Sequence, residues 1–285
     1  MKVKILFALC CLVVVFNQNL RADTMNEKIE KRRVGQLTFI SLQDVPTDMG
    51  INLVLNSNVQ VVKEIFAGNN SLPASINTFL VQINGKNILI DSGTNSGNIA
   101  KNLNSIGINP ENIDAILLTH MHGDHIGGLI DNAGSKVFKN ADIFVSKDEL
   151  DYWVSTARAI LPISVKKLYD SRIKFLEWGK NIFTEIKAVK AVGHTPGHTA
   201  FEITSNGEKL LVIGDLMHIV ALQTADPSFS ITYDIDPNLA AKTRAEILKY
   251  AYENNIIIAG MHVPFGGVGK LTKDVPPRLY KLERK

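Results

Sequence analysis

Two apolar-rich runs separated by a two-residue turn signal dominate the middle of the chain. Ile76-Asn77-Thr78-Phe79-Leu80-Val81-Gln82-Ile83 and Lys86-Asn87-Ile88-Leu89-Ile90 flank Asn84-Gly85, a dipeptide whose residues accept the positive φ of a type I′ turn. The pattern predicts a β-hairpin running into Asp91-Ser92-Gly93. The apolar spacing then lengthens to that of a helix: Ile99, Leu103 and Ile106 share a face, and Gly107 can take the left-handed conformation that ends it. Pro110 marks the return to a strand over 113–118. Further strands are predicted at 141–145, 172–177, 184–190, 200–204 and 209–214, with mixed helical sequence from Lys147 to about Tyr169. Asp236-Pro237 supplies an N-cap and a first-turn proline for a helix with Leu239, Thr243, Ile247 and Ala251 on one side. Ile256-Ile257-Ile258-Ala259 reads as a short buried strand. Strands that precede helices or pair in hairpins predict two packed sheets with helices outside.

The first 22 residues stand apart. Met1-Lys2-Val3-Lys4 is basic, and Ile5 to Phe16 is an uninterrupted apolar run of twelve, too short to span a bilayer comfortably and of the length found in signal peptides. Cleavage is expected after Ala22, leaving residues 23–285 as a single domain without a membrane anchor, exported to a periplasm or secreted. No glycine, proline or serine-rich linker divides that stretch.

Losing Lys2, Lys4 and Arg21 leaves 28 basic against 28 acidic residues. A neutral surface offers no electrostatic footprint for nucleic acid. Cys10 and Cys11 both lie in the leader, so the mature chain has neither a disulfide nor a thiolate ligand.

Candidate chemistry concentrates where the predicted strands end. Thr119-His120-Met121-His122-Gly123-Asp124-His125 follows the apolar run 113–118, and the other histidines sit in short turn-like stretches at His194, His198, His218 and His262. So many convergent polar side chains at the end of a buried strand are costly unless a cation neutralises and orients them. Imidazole and carboxylate suit zinc. Asp215 follows the run Leu210-Leu211-Val212-Ile213, and Asp91 ends the hairpin strand. From the residues alone His194 and His198 are equivalent candidates, since each follows glycine and precedes threonine.

The pattern H-x-H-x-D-H at 120–125, Gly193-His194-Thr195-Pro196-Gly197-His198, Gly214-Asp215 and His262 resembles the metallo-β-lactamase superfamily. The stretch from Gly193 to Gly267, with Gly214-Asp215-Leu216 and Ala225-Asp226-Pro227-Ser228, is similar to its methyl parathion hydrolase-like and lactonase branch; the segment before Ile76 matches only vaguely. The resemblance implies an α/β fold, a four-layer αββα sandwich of two mixed β-sheets flanked by helices. It also implies a dinuclear centre: His120, His122 and His194 on one ion, Asp124, His125 and His262 on the other, and Asp215 bridging. Two zinc ions are the expected cofactors, with manganese, cobalt or iron as other divalent occupants. Under the same resemblance His194 is the ligand and His198 a supporting or packing residue, while Asp91 orients the ligand loop.

The implied activity is that of a metal-dependent hydrolase in which a metal-bridging hydroxide attacks an uncharged small ester: a lactone, an aryl ester or a phosphotriester. Asp124 and His218 are the expected catalytic side chains, His218 by hydrogen-bonding the substrate's oxygen or the leaving group. Trp153, His218 and Phe265 are the candidate pocket walls. Asp215 speaks against a true β-lactamase, whose members typically have cysteine or serine there. The other readings are a mononuclear iron, persulfide dioxygenase-like oxidoreductase and a non-catalytic metal-binding protein. The sequence leaves the oligomeric state open.

Overall fold

The computed structural model describes residues 25–26, 28–156 and 159–285; the expected export segment 1–22 lies outside them. Among the described residues fifteen strands form two sheets, each built from strands that are consecutive in the chain. The first sheet runs in the order β1 (Met25–Asn26), β2 (Ile29–Val34), β3 (Leu37–Gly50), β4 (Ser71–Ile83), β5 (Lys86–Ile90), β6 (Ala115–Leu117), β7 (Asp142–Ser146) and β8 (Ile173–Leu176). The second contains β9 (Asn181–Phe183), β10 (Ile186–Lys190), β11 (Thr199–Ser205), β12 (Glu208–Val212), β13 (Ile257–Ala259), β14 (Val268–Lys273) and β15 (Tyr280–Arg284), again in sequential order. Both sheets are mixed: β5 to β8 pair in parallel, as do β12 and β13, and the remaining pairs are antiparallel.

Strand periodicity separates the layers. Phe79, Val81, Ile88, Ile90 and Leu117 point between the sheets, where they meet Ile186, Phe201, Ile203, Leu210 and Val212. Their neighbours Leu80, Leu89 and Ile116 point the other way, as the two-residue repeat of a strand requires. The described helices in chain order are α1 (Gln60–Phe66), α2 (Ile99–Ser105), α3 (Gly123–Ile126), α4 (Lys147–Ser155), α5 (Ile160–Tyr169), α6 (Val220–Ala225) and α7 (Pro237–Glu253), of which α2, α4 and α5 cover those outer residues. On the far side Leu211, Ile213 and Ile258 are covered by Ile247, Leu248 and Ala251 of α7 (Pro237–Glu253). The architecture is the four-layer αββα sandwich.

Several elements follow the sequence pattern closely. Asn84 and Gly85 take φ of 49 and 77° between β4 and β5. Asp236 caps α7 by accepting the Leu239 N–H at 2.9 Å. The mixed helical sequence from Lys147 to about Tyr169 contains two helices. One expectation differs. Leu239 is 37% exposed, because the buried side of α7 runs through Ala240, Thr243, Arg244, Ile247, Leu248 and Ala251. The segment before Ile76 contains β3 and the start of β4, which pair antiparallel with a register shift between Gln43 and Val45, and it places Thr47, Asp48 and Met49 beside the histidine cluster.

Candidate metal centre

Each cluster side chain follows the end of a strand: His120 and His122 after β6 with Asp124 and His125 on the short helix Gly123–Ile126 that comes next, His194 after β10, Asp215 in a 3-10 turn after β12 and His262 after β13. A stiff sheet with irregular loops at its edge is the usual support for such a site. The loops are also tied to one another. Asp91, fully buried at φ 59°, accepts the Thr119 N–H at 2.8 Å, the Thr119 hydroxyl at 2.7 Å and His125 Nδ1–H at 2.7 Å. His194 Nδ1 donates to Asp234 at 2.9 Å, and His262 Nδ1 donates to the Ser75 carbonyl at 3.0 Å. In each imidazole the second nitrogen is thereby aimed at the interior of the site.

The converging donor atoms form two groups that share no residue: His120, His122, His194 and Asp215 make up one, and Asp124, His125 and His262 the other. A third set, Asp215, His218 and His262, overlaps both. In the first, His120 Nε2 and His194 Nε2 lie 2.8 and 3.0 Å from His122 Nδ1, and 3.7 and 3.4 Å from Asp215 Oδ2. In the second, Asp124 Oδ2 is 3.6 Å from His125 Nε2 and 3.4 Å from His262 Nε2. Asp215 reaches this group too, with Oδ1 3.2 Å from His125 Nε2 and Oδ2 3.0 Å from His262 Nε2. Donors about 2.1 Å from a tetrahedral zinc stand ~3.4 Å apart, so the spacing suits an ion in each group. His125 Nε2 and Asp215 Oδ1 are buried without a hydrogen-bond partner, an arrangement that costs energy unless a cation takes their lone pairs.

Electrostatics separate the two groups. Burial keeps the first group's imidazoles neutral, with His120 well below the ordinary range and His122 and His194 lowered to about 4. Burial also opposes charge on His125, yet Asp215, Asp124 and Asp91 outweigh it and hold that histidine well above its ordinary value. His262 is raised by Asp215 in the same way, against the effect of burial. Asp124 and Asp215 are both lowered, with His125 overcoming the desolvation that would protonate them. The carboxylates thus draw positive charge into this corner, a demand that divalent ions would meet.

A family model for the metallo-beta-lactamase superfamily matches residues 72–262, the stretch that carries every one of these side chains. The chain belongs to that superfamily. Among solved structures, AbOPH, a hydrolase in the beta lactamase superfamily, is 31% identical with a TM-score of 0.81, over 90% of this chain and 96% of that one. AidC, a dizinc quorum-quenching lactonase in complex with a product, is 27% identical with a TM-score of 0.84, over 90% and 97%. A 7,8-dihydropterin-6-methyl-4-(beta-D-ribofuranosyl)-aminobenzene-5'-phosphate synthase of Methanocaldococcus jannaschii is 36% identical over 107 residues, 34% of this chain. The match spans only 36% of that relative's own length. With hydrolases as structural neighbours and a histidine–aspartate cluster at the strand ends, the chain is a metal-dependent hydrolase of its superfamily.

The remaining candidates fall in different places. His198 stays outside the donor groups: its Nδ1 donates to the Ala191 carbonyl, and its Nε2 accepts the Asp215 N–H. His218 is 2% exposed and lines the cavity over the cluster. Its Nε2 is 3.0 Å from Asp215 Oδ2, its ring stacks on His262 at 4.7 Å, and its Nδ1 has no partner.

Neither aromatic expected to wall the cavity does so. The Trp153 indole donates to Glu149 one helical turn back at 2.6 Å and packs edge-on against His122, outside the residues that line the cavity over the cluster. Phe265 stands just before the positive-φ glycines Gly266 and Gly267 that lead into β14, and lines a separate hollow with Val220, Thr224 and Tyr280. The cavity over the cluster, about 390 Å³, is walled instead by Thr47, Asp48, Met49, Leu53, Ile76 and Tyr233.

Two supporting residues escape the sequence reading. Asp234 holds His194 and is itself paired with the buried Arg244, 3.4 Å away. Glu149 was detectable only as the fourth residue of Ser146-Lys147-Asp148-Glu149, a capping-box signature. Ser146 does accept the Glu149 N–H, at 3.2 Å, but the glutamate side chain turns to the ligand loops instead of closing the box.

Proposed function

We propose that the protein is a dinuclear zinc hydrolase of uncharged ester-type bonds, in lactones, aryl esters or phosphotriesters, working after export to a periplasm or the medium. The observation that carries this reading is the position of Asp215, whose two oxygens lie 3.0 to 3.7 Å from donor nitrogens of both groups. His120, His122 and His194 would hold one ion, Asp124, His125 and His262 the other, and Asp215 would be shared. Bound there, the two ions would supply a water acidic enough to be a nucleophile near neutral pH and would polarise the oxygen under attack.

The chain's own residues do the rest. Asp124, 31% exposed in its side chain, lines the cavity and can take a proton from the reacting water. His218 faces the same cavity and presents an imidazole to the substrate's oxygen or the departing alkoxide. Met49, Leu53, Ile76 and Tyr233 shed water from the ester around the scissile bond. Among the described residues no lysine or arginine lines the cavity, while Asp48 and Asp124 both do. An anionic phosphate or carboxylate therefore finds no clamp, which favours uncharged substrates. The second donor group supports two ions over a single iron, and the carboxylate at Asp215 supports an ester over a β-lactam.

The test is metal quantification on the purified mature protein, then a panel of lactone, aryl ester, phosphotriester and β-lactam substrates on the same sample. Two zinc ions per chain and turnover of at least one uncharged ester are expected. One iron per chain with oxygen consumption, or turnover confined to β-lactams, would overturn the reading.

A further inference from the structure

Glu149 is a fully buried carboxylate outside both donor groups, yet its four hydrogen bonds all serve one of them. Oε1 accepts the N–H of Met121, the residue between His120 and His122, at 2.8 Å, and the Trp153 indole N–H at 2.6 Å. The indole in turn packs edge-on against His122, ring centres 5.2 Å apart. Oε2 accepts the Thr195 hydroxyl at 2.6 Å and the Gly197 N–H at 3.0 Å, on the loop that carries His194. Ser146 adds a further tie, donating to the Gly197 carbonyl at 2.8 Å. Contact is so close that a Cβ on Gly197 would lie 2.2 Å from the Glu149 nitrogen.

The other donor group is held by different atoms. Asp91 fixes His125, and the Ser75 carbonyl fixes His262. Glu149 bonds to neither. An ionised carboxylate accepts at all four of its lone-pair positions, whereas an amide of the same shape turns one edge into a donor. Two loops far apart in sequence thus share an anchor that no neutral side chain of this size reproduces.

We propose that Glu149 is a positioning residue selective for one ion: it fixes the loop of His120 and His122 relative to the loop of His194, and so sets the first ion's site without setting the second's. This rests on the dinuclear reading. Burial raises the carboxyl's pKa, opposed by Thr195, Met121, Trp153 and Gly197, so the anchor depends on those four donors being present.

The experiment is titration of the metal-free protein with cobalt(II) against a competing chelator, following the electronic absorption spectrum, in wild type, Glu149→Gln and Thr195→Val. His194→Ala and His262→Ala provide the spectra of each ion class alone. Expected for Glu149→Gln is one ion at wild-type affinity and the other weakened about 10- to 100-fold, with the residual spectrum matching His194→Ala. Thr195→Val removes one donor and loses less of the same class, which keeps the proposal testable if Glu149→Gln fails to fold. Wild-type affinity for both ions in both variants overturns it. So does equal weakening of both classes with a parallel fall in the thermal stability of the metal-free protein. A wild-type protein that takes up fewer than two ions overturns the dinuclear reading and the selectivity with it, whereas two ions in wild type with no selective loss in Glu149→Gln overturns the proposal alone.

Discussion

His198 accepts the backbone N–H of Asp215 through Nε2 at 3.0 Å while its Nδ1 donates to the Ala191 carbonyl at 2.9 Å. Burial lowers its pKa to about 3, which keeps the ring neutral and the accepting lone pair available. Gly214 leaves room for the contact: it sits at φ 56°, and a Cβ there would lie 2.4 Å from His198 Nε2. His198 therefore shapes the backbone that delivers Asp215. His198→Ala should keep both ions while losing roughly 1–3 kcal/mol of stability, because a buried N–H loses its acceptor. His194→Ala should lose most bound metal. Ion content and thermal unfolding of the two variants check this; the opposite pattern of metal loss would reverse the roles.

Asp91 takes three hydrogen bonds with both oxygens, one of them from His125 Nδ1. Asp91→Asn keeps the shape but replaces an acceptor by an NH2 that faces a donor. Affinity for the ion held by His125 should fall about 10- to 100-fold, as removal of a ligand's hydrogen-bonded carboxylate generally produces. Chelator competition measures it. An unchanged affinity would show that the imidazole needs no such partner.

His218 stacks on His262 and faces the cavity with no protein partner for Nδ1. With both ions retained, His218→Ala should lower kcat/KM on the best substrate by about 10- to 100-fold, the scale of a lost general-acid or hydrogen-bonding group. Steady-state kinetics with parallel metal analysis decide it, and unchanged kcat and KM would end the assignment.

Leu53 is half-buried in the cavity wall, where the described lining residues include no cation. Leu53→Arg should move selectivity toward anionic esters. The ratio of kcat/KM for a phosphodiester over a neutral phosphotriester should rise about tenfold, equivalent to ~1.4 kcal/mol. A ratio that does not move would mean that substrate charge is not read at this wall.

How far the sequence alone reaches differs between the two halves of the site. The donors are legible because His120, His122, Asp124 and His125 fall within six residues after a strand, and because His194, Asp215 and His262 each follow their own strand. The cavity wall is not. Thr47, Met49, Leu53 and Ile76 come from the β3–β4 hairpin and its connection, where no spacing rule links them to the histidines. Tyr233 reaches the same cavity from the stretch before α7. Trp153 and Phe265 show the converse: the resemblance of Asp151-Tyr152-Trp153 to an aromatic segment between ligand loops, and the closeness of Phe265 to His262, put neither ring in the cavity lining. One is bonded back to the helix it stands on, and the other lines a separate hollow.

What the amino-acid order determined by itself was local: turn residues at Asn84-Gly85, caps at Asp236-Pro237, strand runs between them, and side chains whose chemistry calls for a metal. Tertiary structure decided which nitrogen of each histidine faces inward, since that depends on partners such as Asp91, Asp234 and the Ser75 carbonyl, all distant in the chain from the rings they hold. It also decided which surfaces enclose the cluster and that one buried glutamate joins two ligand loops. Such contacts are set by how sheets and loops pack in three dimensions, and the periodicity of a single segment carries no record of them.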